Sequence, residues 1–426
     1  MTTARPAPAA TATSGALVAA GDPSITELVA PAAVVEVSLD HQPSDLVLGI
    51  TRQGMVYRSA LAVVRTGGRA VGTVVLLADH AGRVAAPQIA ASLTRFGAGL
   101  DLASEPVPLP RMSVVLTTAG RADAAIGAVG AMLRGDVAPD EIVVVDTGPR
   151  NGVLQRMLAD WYPGEGIRLL TCPGAGRAAA RNAGLAVAAG DVLVFADDGV
   201  IADRDWLRRL AEALVVSGAD CATGMALPLD MDSQAHLDLE RLTRVPRGYF
   251  RRSTHRIADA DGNVLAVHPD TLTGARRCLA VWREIAEQVG GFDPLLGAGT
   301  PARGGEDLDF VSRVLETGHT LVQEPAAILW HERRADLRGL RREAFGRGAG
   351  FAATVAKRFW EGPHRADVLR AVPDALRDLL APARAGRQGM PPGELEACQV
   401  AGVLFGPFAF AAGCLRGRRR VVAPPR

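Results

Sequence analysis

The chain has 426 residues, with 47 basic and 46 acidic side chains and a formal net charge of +1. This length favours two or three compact units, and the balanced charge excludes a global electrostatic attraction to nucleic acid or to an acidic surface. Five scattered cysteines without a CxxC pair indicate neither a disulfide framework nor a zinc site, which is typical of a reducing compartment.

The N-terminal quarter divides into a polar tail and a β-rich unit. Residues 1–24 are rich in Ala, Thr and Pro, a composition that predicts a disordered tail without a secretory signal. Short β-prone runs and one helical run predict a small, mainly β domain over residues 25–104. The proline-rich residues 105–110 are predicted to be a linker.

From Arg111 the pattern changes to alternating apolar strands and amphipathic helices. The runs MSVVLTT, EIVVVDT, IRLLTC and DVLVFADD predict strands covered on both faces, so the fold class is α/β. Asp203 is the predicted N-cap of the helix that follows. The charged stretch from Pro228 to Pro269 is predicted to be an irregular substrate loop.

The C-terminal region, residues 335–426, is predicted to be mainly helical. Its apolar segment, residues 397–415, is just long enough to cross a bilayer and is followed by arginines. Gln399, Pro407 and three glycines weaken the case for a spanning helix. We therefore expect a peripheral or re-entrant membrane contact through residues 397–420, with a buried C-terminal helix as the alternative.

Asp197 and Asp198 end the last of the four apolar runs, at the sheet edge where α/β proteins bind ligands. Adjacent side chains of a strand point to opposite faces, so the two carboxylates are expected to do different work. One can bind a hard divalent cation, and the other can meet a ribose hydroxyl or the water shell of the metal. The alternative is an Asp-Asp-Gly turn that only ends the strand.

Glu306 and Asp307 follow a glycine pair and open a helix that is predicted to run to Thr317. The helix dipole favours negative charge there, so capping is the simpler explanation. The glycine pair, which allows close backbone approach, and the downstream His331 favour a functional site. Asp198 with His331 offers the mixed oxygen and imidazole ligands that manganese accepts.

A dinucleotide-binding loop is a rival interpretation. Gly174, Gly176 and Ala179 satisfy GxGxxA, and Asp197 follows Gly174 by 23 residues. This pattern would indicate an NAD-dependent oxidoreductase. Against it, the preceding strand is the third of its unit, and the acidic position is doubled where a ribose needs one carboxylate.

Seven runs occur in an order that resembles family 2 glycosyltransferases of the GT-A fold: MSVVLTTAGR, EIVVVDTG, GRAAARNAGLAVAAGD, VLVFADDGV, VGGFD, GGEDLDF and ILWHERR. The resemblance covers a GT-A domain over residues 111–334, a Rossmann-like α/β unit. It implies inverting transfer from a nucleotide-diphosphate sugar, with Mn²⁺ or Mg²⁺ as cofactor.

The resemblance also implies roles for single residues. Asp307 would be the catalytic base, with Glu306 as its acidic neighbour. Asp198 would bind the metal, and His331 would join it. The nucleotide-sugar would be contacted by Thr117, Arg121, Asp146, Arg177, Arg181 and Asp197.

The sequence departs from the family pattern at two points. Thr147, Gly148 and Pro149 follow Asp146 where another Asp and Gly-Ser are usual, and Gly199 stands where many relatives have a third Asp. These departures motivate the alternative of a non-catalytic GT-A-like nucleotide-sugar binding module. No QxxRW-like run follows the ILWHERR segment, which argues against a processive polysaccharide synthase.

The expected function is that of a cytoplasmic enzyme at the inner face of the cell membrane. Its expected partners are a nucleotide-diphosphate sugar and a glycan or lipid-linked acceptor of cell-envelope synthesis, and no nucleic acid. The lipid-linked acceptor depends only on the apolar segment 397–415.

Overall fold

The computed structural model describes residues 28–96, 107–149, 152–243, 248–257, 277–332, 337–361, 365, 368–370, 372–373 and 393–420, with the backbone alone at 241–243 and 416–420. The predicted tail, residues 1–24, and the first residues of the predicted linker, 105–106, lie outside the described residues. So do residues 244–247 and 258–269 of the stretch predicted to be a substrate loop.

The N-terminal part forms a small sheet over one helix. Its elements are β1 (Ala32–Ser38), β2 (Leu46–Val47), β3 (Ser59–Thr66), β4 (Arg69–Leu77), β5 (Arg83–Val84) and α1 (Ala86–Leu93). β1 pairs parallel with β3, β3 pairs antiparallel with β4, and β2 pairs with β5. Every second residue of β3 is buried against α1, because alternate side chains of a strand share one face.

The first half of the central domain contains the four predicted strands. Its elements are β6 (Met112–Thr118), α2 (Ala122–Leu133), β7 (Glu141–Asp146), α3 (Val153–Trp161), β8 (Ile167–Thr171), α4 (Arg177–Val187) and β9 (Val192–Asp197). These strands are parallel, in the order β9-β6-β7-β8. β8 is only half-buried, not covered on both faces as expected, because it is the last strand of the sheet.

The second half extends this sheet from β9. Its elements are β10 (Val200–Ala202), α5 (Trp206–Ser217), β11 (Cys221–Pro228), α6 (Gln234–Thr243), β12 (Gly248–Tyr249), β13 (Ser253–His255), β14 (Cys278–Trp282), α7 (Arg283–Gln288), α8 (Glu306–Glu316) and β15 (Leu321–His331). The strand order is β10-β15-β11-β14-β9-β6-β7-β8, with β13 also on β15. β14 is antiparallel to both neighbours, so the sheet is mixed, and the α/β class is confirmed.

Two apolar layers cover the central sheet. One face packs with α2 and α5, and the other with α4 and α8. On the second face Phe195 meets Phe292 edge-on at 4.9 Å between ring centroids, and Phe292 stacks on Phe310 at 4.4 Å. Each fully buried ring contributes roughly 1.5–3 kcal/mol. These rings attach α8 to the sheet directly below the carboxyl end of β9.

The predicted N-cap role of Asp203 is wrong. α5 begins at Trp206, and the Asp203 carboxylate accepts a hydrogen bond from Trp330 Nε1 over 2.8 Å and pairs with Arg65 of β3. Buried carboxylates require such partners, and here they come from distant parts of the chain. Asp203 therefore joins the N-terminal sheet to the strand that ends in His331.

The stretch that begins at Pro228 is more ordered than expected. It contains α6, where Ser233 Oγ accepts from the His236 N–H over 3.3 Å, and β12, which pairs with β4 of the N-terminal sheet. Leu237 packs against that sheet and Leu239 against the C-terminal helices, so burial of apolar side chains stabilises a helix here. The predicted boundaries at 25–104, 111–334 and 335–426 stay predictions.

Two long helices, α9 (Leu337–Glu361) and α10 (Glu394–Arg420), form the C-terminal region. They run parallel and touch through glycines: a Cβ on Gly348 would lie 2.0 Å from Gln399 O, and one on Gly402 would lie 2.1 Å from Phe345 O. Within the described ranges, α10 is the one helix long and apolar enough to cross a membrane, over Glu394–Leu415.

Candidate active site

Asp197 and Asp198 lie where β9 ends, beside the ends of β6 and β7. Thr117 Oγ1 donates to Asp197 Oδ1 over 3.0 Å, and Thr118 Oγ1 donates to Asp198 Oδ2 over 2.6 Å. Thr117 is the register partner of Asp197, and successive residues of a strand face opposite ways. The two carboxylates therefore separate into different surroundings.

Two arginines of α4 face Asp197. Arg177 Nη2 lies 3.4 Å from Asp197 Oδ2, and Arg177 Nη1 lies 3.3 Å from Glu306 Oε1. Arg181, whose side chain has no exposed surface, donates to Asp307 and has its Nη2 atom 3.6 Å from Asp197 Oδ1. Burial opposes ionisation of Asp197, but the two arginines outweigh it and lower the pKa of this carboxyl.

Asp307 has the opposite electrostatic character. Burial raises the pKa of Asp307 to about 7, against the effect of Arg181 and with that of the neighbouring Glu306. A carboxyl group that titrates near neutral pH is suited to accept a proton there. Arg181 thus contacts two carboxyl groups of opposite character: the pKa of Asp197 is lowered, and the pKa of Asp307 is raised.

The first turn of α8 presents these acids. Gly305 is the N-cap residue with φ +93°, a conformation that side chains rarely adopt, and no side chain caps the helix. Glu306 instead points at Arg177, and Asp307 at Arg181. Simple helix capping therefore does not account for the acidic pair.

Arg121 covers Asp198. Its Nε donates to Asp198 Oδ2 over 3.1 Å and its Nη2 donates to Oδ1. The Arg121 side chain is 58% exposed, whereas the carboxylate is buried and also held by Thr118. The arginine is free to move into solvent, and the carboxylate is fixed.

His331 is buried at the end of β15, opposite Val200 of β10, which follows Asp198 by two residues. An imidazole nitrogen and a carboxylate oxygen at one sheet edge suit a divalent cation such as Mn²⁺. Within the residues that the structure describes, no group of three or more His, Cys, Asp or Glu could hold a metal alone. A cation held by Asp198 and His331 would take its other ligands from a diphosphate and water, and this metal site stays a prediction.

Asp146 ties two loops together. Its Oδ1 atom accepts from the Gly120 N–H over 3.0 Å and from the Gly148 N–H over 2.8 Å. A Cβ on Gly148 would lie 2.4 Å from Gly120 Cα, so the glycine at this position, which the family pattern also has, allows the two loops to touch. The contact of Asp146 with a nucleotide base stays a prediction.

The loop that would bind a dinucleotide is covered by the segment that contains Ala298. The Arg177 N–H at the start of α4 donates to Ala298 O over 2.9 Å, and a Cβ on Gly176 would lie 3.2 Å from the same oxygen. A bound pyrophosphate requires the N–H groups at this helix end. The geometry does not support an NAD-dependent oxidoreductase.

The family comparison agrees with this geometry. Residues 113–264 match the family model described as Glycosyl transferase family 2. This part of the chain, residues 113–264, belongs to that family. The central domain is a mixed α/β fold with the paired aspartates and the acidic helix start at one edge of the sheet, which agrees with the GT-A fold that the sequence resemblance implies.

Several known proteins are similar to this glycosyltransferase domain. A "Pre-mycofactocin glycosyltransferase" of Mycobacterium tuberculosis is 31% identical over 185 residues, which span 43% of this chain and 35% of that relative. The mannosyltransferase PcManGT from Pyrobaculum calidifontis, solved with GDP-Man and Mn²⁺, aligns with a TM-score of 0.49 at 20% identity, over 75% of this chain and 97% of the other. Glucosyl-3-phosphoglycerate synthase from Mycobacterium tuberculosis aligns with a TM-score of 0.40 at 17% identity, over 58% and 80%.

The sequence did not predict that a C-terminal helix supports the glycosyltransferase domain. Helix α9 packs on the loop before Glu306, where Thr354 Oγ1 donates to Gly305 O over 3.1 Å. Lys357 Nζ lies 2.8 Å from Asp309 Oδ1 and 2.6 Å from Asp293 Oδ2. The one lysine of the sequence was the available signal, but its partners lie far away in the chain. The C-terminal region thus holds helix α8 in place.

Gly350→Ala is expected to destabilise the protein by about 1–3 kcal/mol, because overpacking forces backbone to shift. A Cβ at Gly350 would lie 2.5 Å from Gly304 C. The matched control is Gly127→Ala in α2, where a Cβ meets nothing within 4 Å, and a gain of about 0.5–1 kcal/mol is expected. Urea unfolding of both variants decides this, and equal stabilisation by the two alanines would contradict close packing of α9 on the loop.

Proposed function

We propose that the protein transfers a sugar from a nucleotide-diphosphate donor to an acceptor hydroxyl, with inversion at the anomeric carbon. The observation that carries this proposal is the shared arginine: Arg181 holds Asp307 and Asp197 at one edge of the sheet. A proton-accepting carboxyl and the acid assigned to the nucleotide-sugar are thereby fixed relative to each other. Fixed placement of the reacting groups contributes to the rate of a transfer reaction.

The roles of the charged residues follow from their burial. Asp307 takes the proton of the attacking hydroxyl, since burial raises its pKa to about 7. Arg181 is fully buried and acts as a positioning residue for Asp307 and Asp197. Arg177 keeps 29% of its side chain exposed, so it is the arginine that can donate to the diphosphate.

Asp198 and His331 would hold a divalent cation, Mn²⁺ or Mg²⁺. When bound, the cation supplies compensation for the negative charge that develops on the leaving diphosphate. Arg121 pairs with Asp198 and must withdraw from this carboxylate when the site is loaded. Arg121 can leave into water because its side chain is 58% exposed, and the cation together with Thr118 would then be the partner of the buried Asp198 carboxylate.

The proposed acceptor is a glycan or lipid-linked molecule of cell-envelope synthesis, and the proposed location is the inner face of the cell membrane. The support is α10, which is apolar over Glu394–Leu415. Acceptor choice is assigned to the stretch between Pro228 and Pro269, whose described part packs between the N-terminal sheet and α9.

Full-length protein mixed with UDP-, GDP- and dTDP-sugars, each with and without Mn²⁺, tests this function. One nucleotide class is expected to raise the unfolding temperature only when Mn²⁺ is present, and slow release of the nucleoside diphosphate should accompany it, because bound ligand stabilises the folded state. No shift with any donor would contradict the proposal. Binding without nucleotide release in the presence of acceptor extract would favour the non-catalytic module, and stabilisation by NAD would favour an oxidoreductase.

A further inference from the structure

The exposed face of α10 is apolar along most of its length. Val400, Leu404, Phe408 and Leu415 are all exposed, and the last three keep 70%, 72% and 67% of their surface accessible. They are spaced four, four and seven residues apart, so they lie on one side of the helix. A row of large apolar side chains on a solvent-exposed surface marks an interaction site for a protein or a membrane.

The opposite face of α10 is committed to α9. A Cβ on Gly402 would lie 2.1 Å from Phe345 O, and one on Gly406 would lie 2.6 Å from Ala349 O. Gln399 is buried on the same face. If α10 crossed a bilayer alone, it would give up these backbone contacts and place the amide of Gln399 in hydrocarbon, which is costly. The helix therefore suits a position along a membrane rather than through it.

The charge of α10 and of the residues that follow it indicates which kind of surface the exposed face of α10 contacts. From residue 397 to the last residue, 426, the sequence contains five arginines and no acidic residue. The two acids at the start of α10 are engaged within the chain, Glu394 with Arg341 and Glu396 with the Gly393 N–H. A second copy would therefore offer the arginines no free acid of α10. Anionic lipid headgroups attract such basic segments by about 1 kcal/mol per arginine, or about fivefold in affinity.

Trp360 marks the same end of the molecule. It is 75% exposed at the end of α9, which runs parallel to α10, so it lies towards the end of α10 that carries the arginines. Tryptophan is enriched at the level of lipid headgroups, because its ring is apolar and its N–H is polar. The exposed tryptophan and the basic end of α10 therefore lie at the same end of the two helices.

We propose that this face of α10 docks in the plane of a membrane rich in anionic lipid, with Leu404 and Phe408 in the acyl boundary. The proposal deepens the membrane-associated part of the proposed function and is independent of its catalytic part. Both remain separately testable, since lipid binding needs no donor and donor binding needs no lipid.

The test is flotation of the full-length chain with vesicles of phosphatidylcholine alone or mixed with phosphatidylglycerol. The wild type is expected to float with the mixed vesicles and to dissociate in high salt. Leu404→Glu with Phe408→Glu should weaken binding by at least about tenfold, because two large apolar side chains leave the lipid. Alanine at Arg418, Arg419 and Arg420 should reduce binding to the anionic vesicles alone.

The matched control is Val216→Glu, which places a new charge at an exposed apolar position of α5, away from this face. It should float like the wild type, and unchanged unfolding temperatures exclude misfolding of the variants. Equal flotation of the wild type and the Leu404–Phe408 double variant would overturn the proposal. A dimer that becomes a monomer in the double variant, without lipid binding by either, would assign the face to a second copy. Retention in native membranes after alkaline carbonate extraction would show a spanning helix instead.

Discussion

Asp307→Asn is expected to lower kcat for sugar transfer by roughly a hundredfold to ten-thousandfold, with donor affinity almost unchanged, which is the usual loss on removing a general base. Asparagine keeps the shape of the side chain and its contact with Arg181 but cannot take up the proton of the acceptor. Donor dissociation constants and steady-state rates of the two proteins measure this split. A variant with normal turnover would show that the base lies elsewhere.

The pH dependence of kcat/KM provides a second test of the role of Asp307. The raised pKa of Asp307, about 7, predicts that kcat/KM of the wild type rises with pH through neutrality as the carboxyl loses its proton. Below that pH the group is protonated and cannot act as a base. The residual activity of Asp307→Asn should lack this acid limb, and an identical limb in both proteins would assign the titration to another group.

Arg181→Met is expected to destabilise the fold by about 3–5 kcal/mol, because it leaves buried carboxylates without their cation. Arg181 has no exposed surface and contacts both Asp307 and Asp197. The matched control is Arg204→Met, which breaks the pair with Asp136 where the arginine is 82% exposed, and a loss of no more than about 1 kcal/mol is expected. Denaturant unfolding of the two variants compares a buried and an exposed ion pair.

A variant that combines Arg181→Met with Asp307→Asn tests whether Arg181 positions Asp307 or only stabilises the fold. Asp307→Asn removes one of the charges that Arg181→Met leaves uncompensated, so the two losses of stability should be less than additive. In Arg181→Met alone, loss of the neighbouring cation should move the acid limb of the pH profile to higher pH. Strict additivity together with an unmoved limb would contradict the role assigned to Arg181.

Much of the fold follows from the sequence because its strands are buried. β6, β7 and β9 are continuous apolar runs that end at one edge of the sheet, and this placed Asp197 and Asp198 where ligands bind. β15 is also largely buried, and it places His331 at the same end of the sheet. Local patterns determine these elements, and no long-range contact has to be known.

The arginines show where local patterns stop. Arg177 and Arg181 are one helical turn apart, and the sequence allowed either to be a surface residue. Only the packing of α4 between β6 and α8 decides that Arg181 is buried on Asp307. Thr118 was missed for a similar reason, because its contact with Asp198 depends on the register of β6 against β9.

The predictions of an N-cap at Asp203 and of an irregular stretch where α6 lies failed for the same physical reason. Asp203 looks like an N-cap by spacing, but its partners Arg65 and Trp330 are more than a hundred residues away in the chain. The helix α6 is short and is stabilised by burial of Leu237 and Leu239 against two different parts of the molecule. Tertiary contacts of this kind override local propensity.

The stereochemistry of slow donor hydrolysis tests the central claim most directly. Water can replace the acceptor, so full-length protein, Mn²⁺ and the donor found by the panel suffice, and proton NMR of the released sugar identifies its anomer before mutarotation. Attack assisted by Asp307 from the side opposite the diphosphate predicts that the first sugar formed has the configuration opposite to that of the donor. Release of a sugar with the donor's own configuration, or no release from any donor, would contradict the account.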